Sequence, residues 1–286
     1  MTDHALGVHT PVPAPALGRP ALASRYAGSA LLWARKAVVG AVYIVVALAL
    51  WHLVVVALSI DPLVVPKPLP VLEALWSQLQ SAVVYGAMWV TFQEAMIGFA
   101  AGAGLGMLMA VLLAESDLAY KILNPSIVAF QALPKVALTP LFIVWFGFGI
   151  WSKAILVASF VFFPVLVNMY TGLRSSSAEE DELMRVSHAS RWQRFRHLRW
   201  YKSLPFLFAA FETSFVMCLT GAVFAELMGS GKTVGLGTLV QLYTSRMDMP
   251  GLFAIIALLS LFGVLLDVFV KLGKRFFLAW DRAPAR

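Results

Sequence analysis

The sequence predicts an all-α, polytopic membrane protein of about six transmembrane helices, with one long charged loop held outside the bilayer. Three observations carry this. Hydrophobic residues make up 60% of the 286, more than a soluble domain of this length can bury, and the mean hydropathy is +0.81. Several apolar runs approach or pass the roughly 20 residues needed to cross a bilayer. These runs are continuous and do not alternate at about ten-residue length, so a β-barrel is disfavoured.

Taken in order, residues 1 to about 30 are rich in Pro and Ala and poor in bulky apolar side chains, and read as a disordered tail. They lack the cationic region leading into a short apolar core that marks a signal peptide. The tail is bounded at 34, and 35–286 is the transmembrane domain. Six spans follow at about 37–58, 86–113, 123–147, 151–172, 206–228 and 252–276. Asp61 to Gln80 is punctuated by Pro and then amphipathic, which suggests a loop and a short interfacial helix. Gly147-Phe148-Gly149 marks a tight hairpin between the third and fourth spans.

Charge placement sets the orientation. With the N-terminus inside, seventeen of the 22 Lys and Arg fall in cytoplasmic pieces, while Lys67, Lys153, Lys232 and Arg246 fall outside and Lys135 lies within the third span. The positive-inside rule then predicts that both termini are cytoplasmic. The net charge of +7 is thus read as topology, and no nucleic-acid partner is expected. The single Cys218 cannot form an intrachain disulfide and reads as a small core residue. The five His residues show no metal-ligand spacing.

The stretch from Arg174 to Pro205 is polar between two apolar runs. It holds seven basic residues and the consecutive acids Glu179, Glu180, Asp181 and Glu182. Ser177-Ala178-Glu179-Glu180 fits a capping box, with acids at the positive end of the helix dipole. A second short helix is expected to begin near Ser190, where Trp192, Phe195 and Leu198 recur every three residues. Such a helix either lies on anionic headgroups or enters a groove on a soluble partner.

This stretch resembles the cytoplasmic loop of permeases in binding-protein-dependent ABC importers. Glu182 takes the place of the family's loop glutamate, Leu183-Met184 replace Ala-Ala, and His188 stands where Gly is usual. Leu198 takes the Ile position, Trp200-Tyr201 replace the first Leu-Pro, and Leu204-Pro205 match a second. His188 would have to supply the positive-φ bend between the two helices in glycine's place. Val65-Pro66-Lys67-Pro68, Thr91-Phe92-Gln93-Glu94, Ala132 to Leu141, Trp145 to Gly149 and Gly235-Leu236-Gly237 are similar to the nitrate, sulfonate, taurine and thiamine-precursor branch. The likeness spans about 60 to 280.

The resemblance implies a homodimer with five core helices per subunit and a substrate path between spans three and five of both copies. A periplasmic binding protein would dock on outer loops including 229–250. A separate ATPase, holding ATP and Mg, would dock on the loop at about 173–205 through Glu182, His188, Ala189, Ser190, Arg191, Trp192 and Phe195. The chain itself would carry no cofactor, metal or catalytic residue, and would sit in the bacterial inner membrane. Lys135, Asn168, Met217 and Glu226 are the pathway candidates. Ionisable groups within spans are costly without a partner or water, although Lys135 fits a snorkelling role as well as a pathway one. Glu226 is expected to order the outer end of span five, and Glu94 and Glu212 lie in or near spans.

Three motifs are set aside. Gly229-Ser230-Gly231-Lys232-Thr233 lacks the leading Gly of a phosphate loop, because Glu226 stands there. Gly98, Gly102 and Gly106 have the spacing of close helix packing. Trp145, Phe146, Phe148 and Trp151 fit an interfacial belt. The expected cargo is a small anion such as nitrate, a sulfonate or taurine. The competing class, a secondary transporter or channel without an ATPase, often shows an internal repeat, and none is evident here.

Overall fold

The computed structural model describes residues 22–229 and 233–277. No strand occurs among the described residues. Helix α1 (Leu22–Ala57) forms a unit by itself, and the chain from Ser59 onward forms a second. The helix takes in residues 22–34, which the sequence had placed in the tail; residues 1–21 lie outside the described residues. Val38–Ala57 is long and apolar enough to cross a membrane, as expected for the first span.

The second unit begins with α2 (Pro68–Leu79), the expected short amphipathic helix, with Pro68 at its first position, where a missing N–H costs nothing. Next come α3 (Ala82–Glu115), α4 (Asp117–Ala132), a 3-10 turn (Lys135–Leu138), α5 (Thr139–Phe146) and α6 (Ile150–Leu173). Helix α7 (Ala178–Val186) and α8 (Arg191–Arg194) belong to the charged stretch. A π-helical segment (Phe195–Arg199) joins α8 to α9 (Trp200–Met228), and α10 (Leu236–Ser245) and α11 (Met249–Phe277) complete the unit.

At the centre of this unit lies the pair α3 and α6. A Cβ added at Gly98 would lie 2.6 Å from the Ala154 carbonyl oxygen, one at Gly102 2.5 Å from that of Ala158, and one at Gly106 2.8 Å from that of Phe162. Only glycine permits this approach, so the small-residue stripe is a packing device, as its spacing suggests. The partners rise together along both helices, so α3 and α6 run parallel. Helix α9 runs antiparallel to α6, with Gly172 against Ser203 and Phe206 at one end and Gly221 against Val157 and Phe160 at the other. Ala95, Ala103, Val161, Leu166, Met169, Ala210 and Cys218 fill the shared core.

Parallel α3 and α6 require the chain between them to return across the bundle. The expected third span does so, but as a broken element: α4 and the 3-10 turn–α5 piece meet at 86°. Pro134 causes the break. It cannot donate an N–H, and it holds Leu133 extended at φ −66°, ψ 136°. Five unbroken candidate spans plus this bent one make six. The tight Gly147–Gly149 turn is present, with Gly147 at φ +77°.

Two other expectations change. The second short helix of the charged stretch is continuous with span five, giving one helix over Arg191–Met228, because no breaker interrupts 191–204 and Pro205 is accommodated within the helix. The outer segment 229–250 contains α10 instead of being loop throughout; its residues 230–232, and with them most of the phosphate-loop look-alike, lie outside the described residues.

Replacing Gly102 with Val should force α3 from α6 and cost about 1–3 kcal/mol or abolish folding, whereas Gly104→Ala, with nothing within 4 Å of its Cβ position, should be tolerated. Thermal unfolding of the detergent-purified subunit compares the two.

Candidate coupling site and buried polar cluster

The charged stretch folds as its capping signals require. Ser177 Oγ accepts from Glu180 N at 3.3 Å while the Glu180 carboxylate accepts from Ser177 N at 2.9 Å, closing the expected capping box on α7. Glu179, Glu180 and Asp181 occupy the first turn, where the helix dipole favours them. The chain then reverses through His188 at φ +52°. That conformation costs a non-glycine residue about 1–2 kcal/mol. Its cost is offset by two C-terminal bonds, His188 N to Arg185 O at 2.9 Å and Ala189 N to Met184 O at 3.0 Å. Ser190 caps α8 by the same reciprocal device with Gln193, at 3.2 and 2.8 Å.

Ion pairs fix this helix–turn–helix to the bundle. Lys202 pairs with Glu180, and Arg174 with Asp117. Arg199 Nη1 lies 3.2 Å from Glu115 Oε1, and its Nη2 lies 3.9 Å from Asp181 Oδ2. These groups are partly exposed, so each pair contributes at most about 1 kcal/mol; their effect is on position. The Lys202 ammonium holds the Glu180 carboxyl below the usual glutamate range. That contact is therefore complete above the ordinary glutamate pKa and is lost as pH falls through the depressed value.

Among the expected docking residues, Glu182, His188, Ser190, Arg191 and Trp192 are exposed, and Ala189 and Phe195 are half-buried. The Trp192 ring, 65% exposed, stacks on Phe195 at 5.7 Å. Phe195 in turn packs against the α3–α6 core. A cavity of about 330 Å³ is lined by Trp192, Phe195, Arg196, Trp200 and Tyr201, and one of about 220 Å³ by Val111, Glu115, Arg191, Trp192 and Phe195. An exposed tryptophan over an aromatic cleft with a charged rim has the chemistry of a protein-docking surface.

At the other end of α3 lies a buried polar cluster. Lys153 of α6 donates to Glu94 of α3 at 2.7 Å and to Thr233 Oγ1 at 3.2 Å. Glu226 of α9 accepts from Thr91 Oγ1 at 2.7 Å and, through its other oxygen, from Gly237 N in the first turn of α10. Leu236 N donates to Thr91 Oγ1 at 2.9 Å. Glu94, Thr91 and Glu226 are fully buried, and Glu94 Oε2 has no partner among the described residues. A Cβ at Gly235 would overlap the Glu226 carboxylate, which explains why Gly235-Leu236-Gly237 is glycine-rich. Glu226 thus anchors the N-terminus of α10 to α9, the ordering role expected of it.

Lys153 was missed as a partner. It counted as an outer-loop charge, yet it lies three residues into α6 and is 2% exposed. Its position inside the expected fourth span, opposite an unpartnered in-span Glu94, was the available signal.

The remaining pathway candidates do not cluster with Glu226. Lys135 sits at the α4–α5 bend, its Nζ 3.4 Å from Gln131 O and 5.2 Å from the Phe163 ring centre. Asn168 Nδ2 donates to the Pro164 carbonyl at 2.8 Å within α6. Met217 is exposed on α9. Glu212 pairs with Lys274 at 3.0 Å. A separate apolar groove of about 530 Å³ between α9 and α11 has none of these residues in its lining, and its one carboxylate, Asp267, is paired with Lys271 at 2.6 Å.

Six apolar crossings, a parallel helix pair joined by a broken span, and a charged helix–turn–helix at one end define a multi-pass membrane transport subunit. The chain belongs to the family described as binding-protein-dependent transport system inner membrane component, whose model matches residues 102–276. Among its relatives, it is 31% identical to the riboflavin transport system permease protein RibX of Chloroflexus aurantiacus over 82% of this chain and 87% of that one. It is 31% identical to the putative aliphatic sulfonates transport permease protein SsuC of Bacillus subtilis (82% and 84%). It is 30% identical to the formylaminopyrimidine transport permease protein ThiX of Halalkalibacterium halodurans (78% and 88%). It is accordingly a permease subunit and not an enzyme.

Lys153→Met should strand the Glu94 carboxylate and cost about 3–5 kcal/mol, and adding Glu94→Gln should recover much of the loss in thermal unfolding. His188→Gly should hold or raise the melting temperature, while His188→Val should lower it.

Proposed function

We propose that this chain, as a homodimer in the bacterial inner membrane, forms the path of an ATP-driven importer for a small anionic solute such as a sulfonate, taurine or nitrate. Both termini and the α7–α8 turn are cytoplasmic in this reading. A periplasmic binding protein delivers the solute at the end bearing α10. A separate ATPase, which binds the ATP and Mg, docks on Glu182, His188, Ala189, Ser190, Arg191, Trp192 and Phe195.

One observation carries the proposal: a doubly capped helix–turn–helix, pinned to the bundle by ion pairs, presents Glu182 and Trp192 outward beside an aromatic cleft. A stand-alone carrier needs no such rigid outward surface, and family membership also speaks against one. ATP closure of the paired ATPases would shift the populations of inward- and outward-facing states through this surface. The preference for an anion rests on Lys135, which meets two phenyl rings and the Gln131 carbonyl and, among the described residues, no carboxylate, and on the relative named for aliphatic sulfonates. The relatives named for riboflavin and formylaminopyrimidine supply the competing cargoes to assay.

Purified with its partners, the complex should contain the ATPase in equal number with the permease, and a permease that never copurifies with one would refute the reading. Glu182→Ala or Phe195→Ala should reduce transport-coupled hydrolysis at least about tenfold, the scale of a lost interface hot spot. Lys135→Ala should slow uptake of a sulfonate more than that of a neutral flavin, and equal effects would argue against the anion.

A further inference from the structure

We infer that Arg199 is a positioning residue that ties α7 to the end of α3, so that displacement of the docking turn moves α3 and, at its far end, the α10 segment. The inference rests on the reading that the α7–α8 turn receives the ATPase, and it adds the route by which that contact reaches the bundle.

Arg199 ends the π-helical segment Phe195–Arg199. A π-helical turn shifts the register of every following side chain, and such turns gather at functional sites. Its one guanidinium faces two carboxylates on different elements, Asp181 in the first turn of α7 and Glu115 at the last residue of α3. The planar fork suits this bridging, and lysine's single ammonium does not. Arg199 Nε and Asp181 Oδ1 are buried and without partners among the described residues, so the bonds of this group are not saturated. Lys202, one turn later, adds a second tie to α7 through Glu180.

From Glu115 the connection continues along α3. The close glycine contacts at Gly98, Gly102 and Gly106 make α3 and α6 move together. At the opposite end, Glu94 is paired with Lys153 of α6, and Thr91 accepts from Leu236 N at the head of α10 while donating to Glu226. Each link is a contact between packed or hydrogen-bonded groups, the physical continuity that coupling between distant sites uses.

The test uses the full complex of permease, ATPase and binding protein. Arg199→Ala should leave assembly and basal ATP hydrolysis intact and lower binding-protein-stimulated hydrolysis by between about 2- and 30-fold. Glu115→Gln, a milder change at a partly exposed helix end, should give a similar loss. Arg199→Ala with Glu115→Gln should lose no more than the worse single variant, whereas additive losses would overturn the link. Arg199→Lys should restore only part. Spin labels at Leu183→Cys on α7 and Leu112→Cys on α3, both exposed sites, report the tie without reference to the ATPase; Cys218 is buried and should stay unlabelled. Their distance distribution should broaden in Arg199→Ala. An unchanged distribution, or unchanged stimulation in Arg199→Ala, would overturn the inference even if the ATPase copurifies as proposed.

Discussion

The close contact between α3 and α6 is the constraint on which the rest of the second unit depends. In a bilayer no hydrophobic gain draws two helices together, because lipid tails are as apolar as leucine. Association must come from dispersion and polar bonds at short range. Three glycines one turn apart bring the α3 backbone onto the α6 carbonyls, and α9 then closes over the pair through Gly172 and Gly221. Because the two helices are parallel, the segment between them must recross the bundle, and Pro134 sets the shape of that crossing.

The polar residues divide between the two ends of this bundle according to what surrounds them. At one end the charges are numerous, partly exposed and singly weak, which suits a surface that must be positioned yet remain available to a partner. At the other they are few and buried. There Glu94, Lys153, Thr91 and Glu226 join α3, α6, α9 and α10 by hydrogen bonds between buried side chains and the backbone. A short helix such as α10 could not hold its place by propensity alone; the buried carboxylate at its first turn and the packing of Leu236 and Leu239 against Val84 and Ile255 do so.

Much of this was legible in the sequence, for identifiable reasons. Apolar runs gave the spans because bilayer thickness is a length scale that composition reveals directly. Ser177 and Glu180 gave the start of α7 because capping is local, and the recurrence of Trp192, Phe195 and Leu198 gave a helix start near Ser190. The bend at His188 was legible only through the family resemblance, which has glycine at that place. What failed was non-local. The Glu94–Lys153 pair spans 59 residues, and counting Lys153 as a loop charge concealed it. The continuity of α8 with α9 depends on a π-helical register that no periodicity of three announces. Helix α10 was taken for loop because its anchor, Glu226, lies on another helix.

That sequence separation has a consequence for how the protein is made. Synthesis runs from the N-terminus at about 5–20 residues per second, so Glu94 is polymerised roughly 3–12 s before Lys153, 59 residues later. Throughout that interval Glu94 has no counter-charge from α6. The broken span has to be threaded before the neutralising residue arrives. The counter-charge for α3 thus arrives only on the second span after it, with α6.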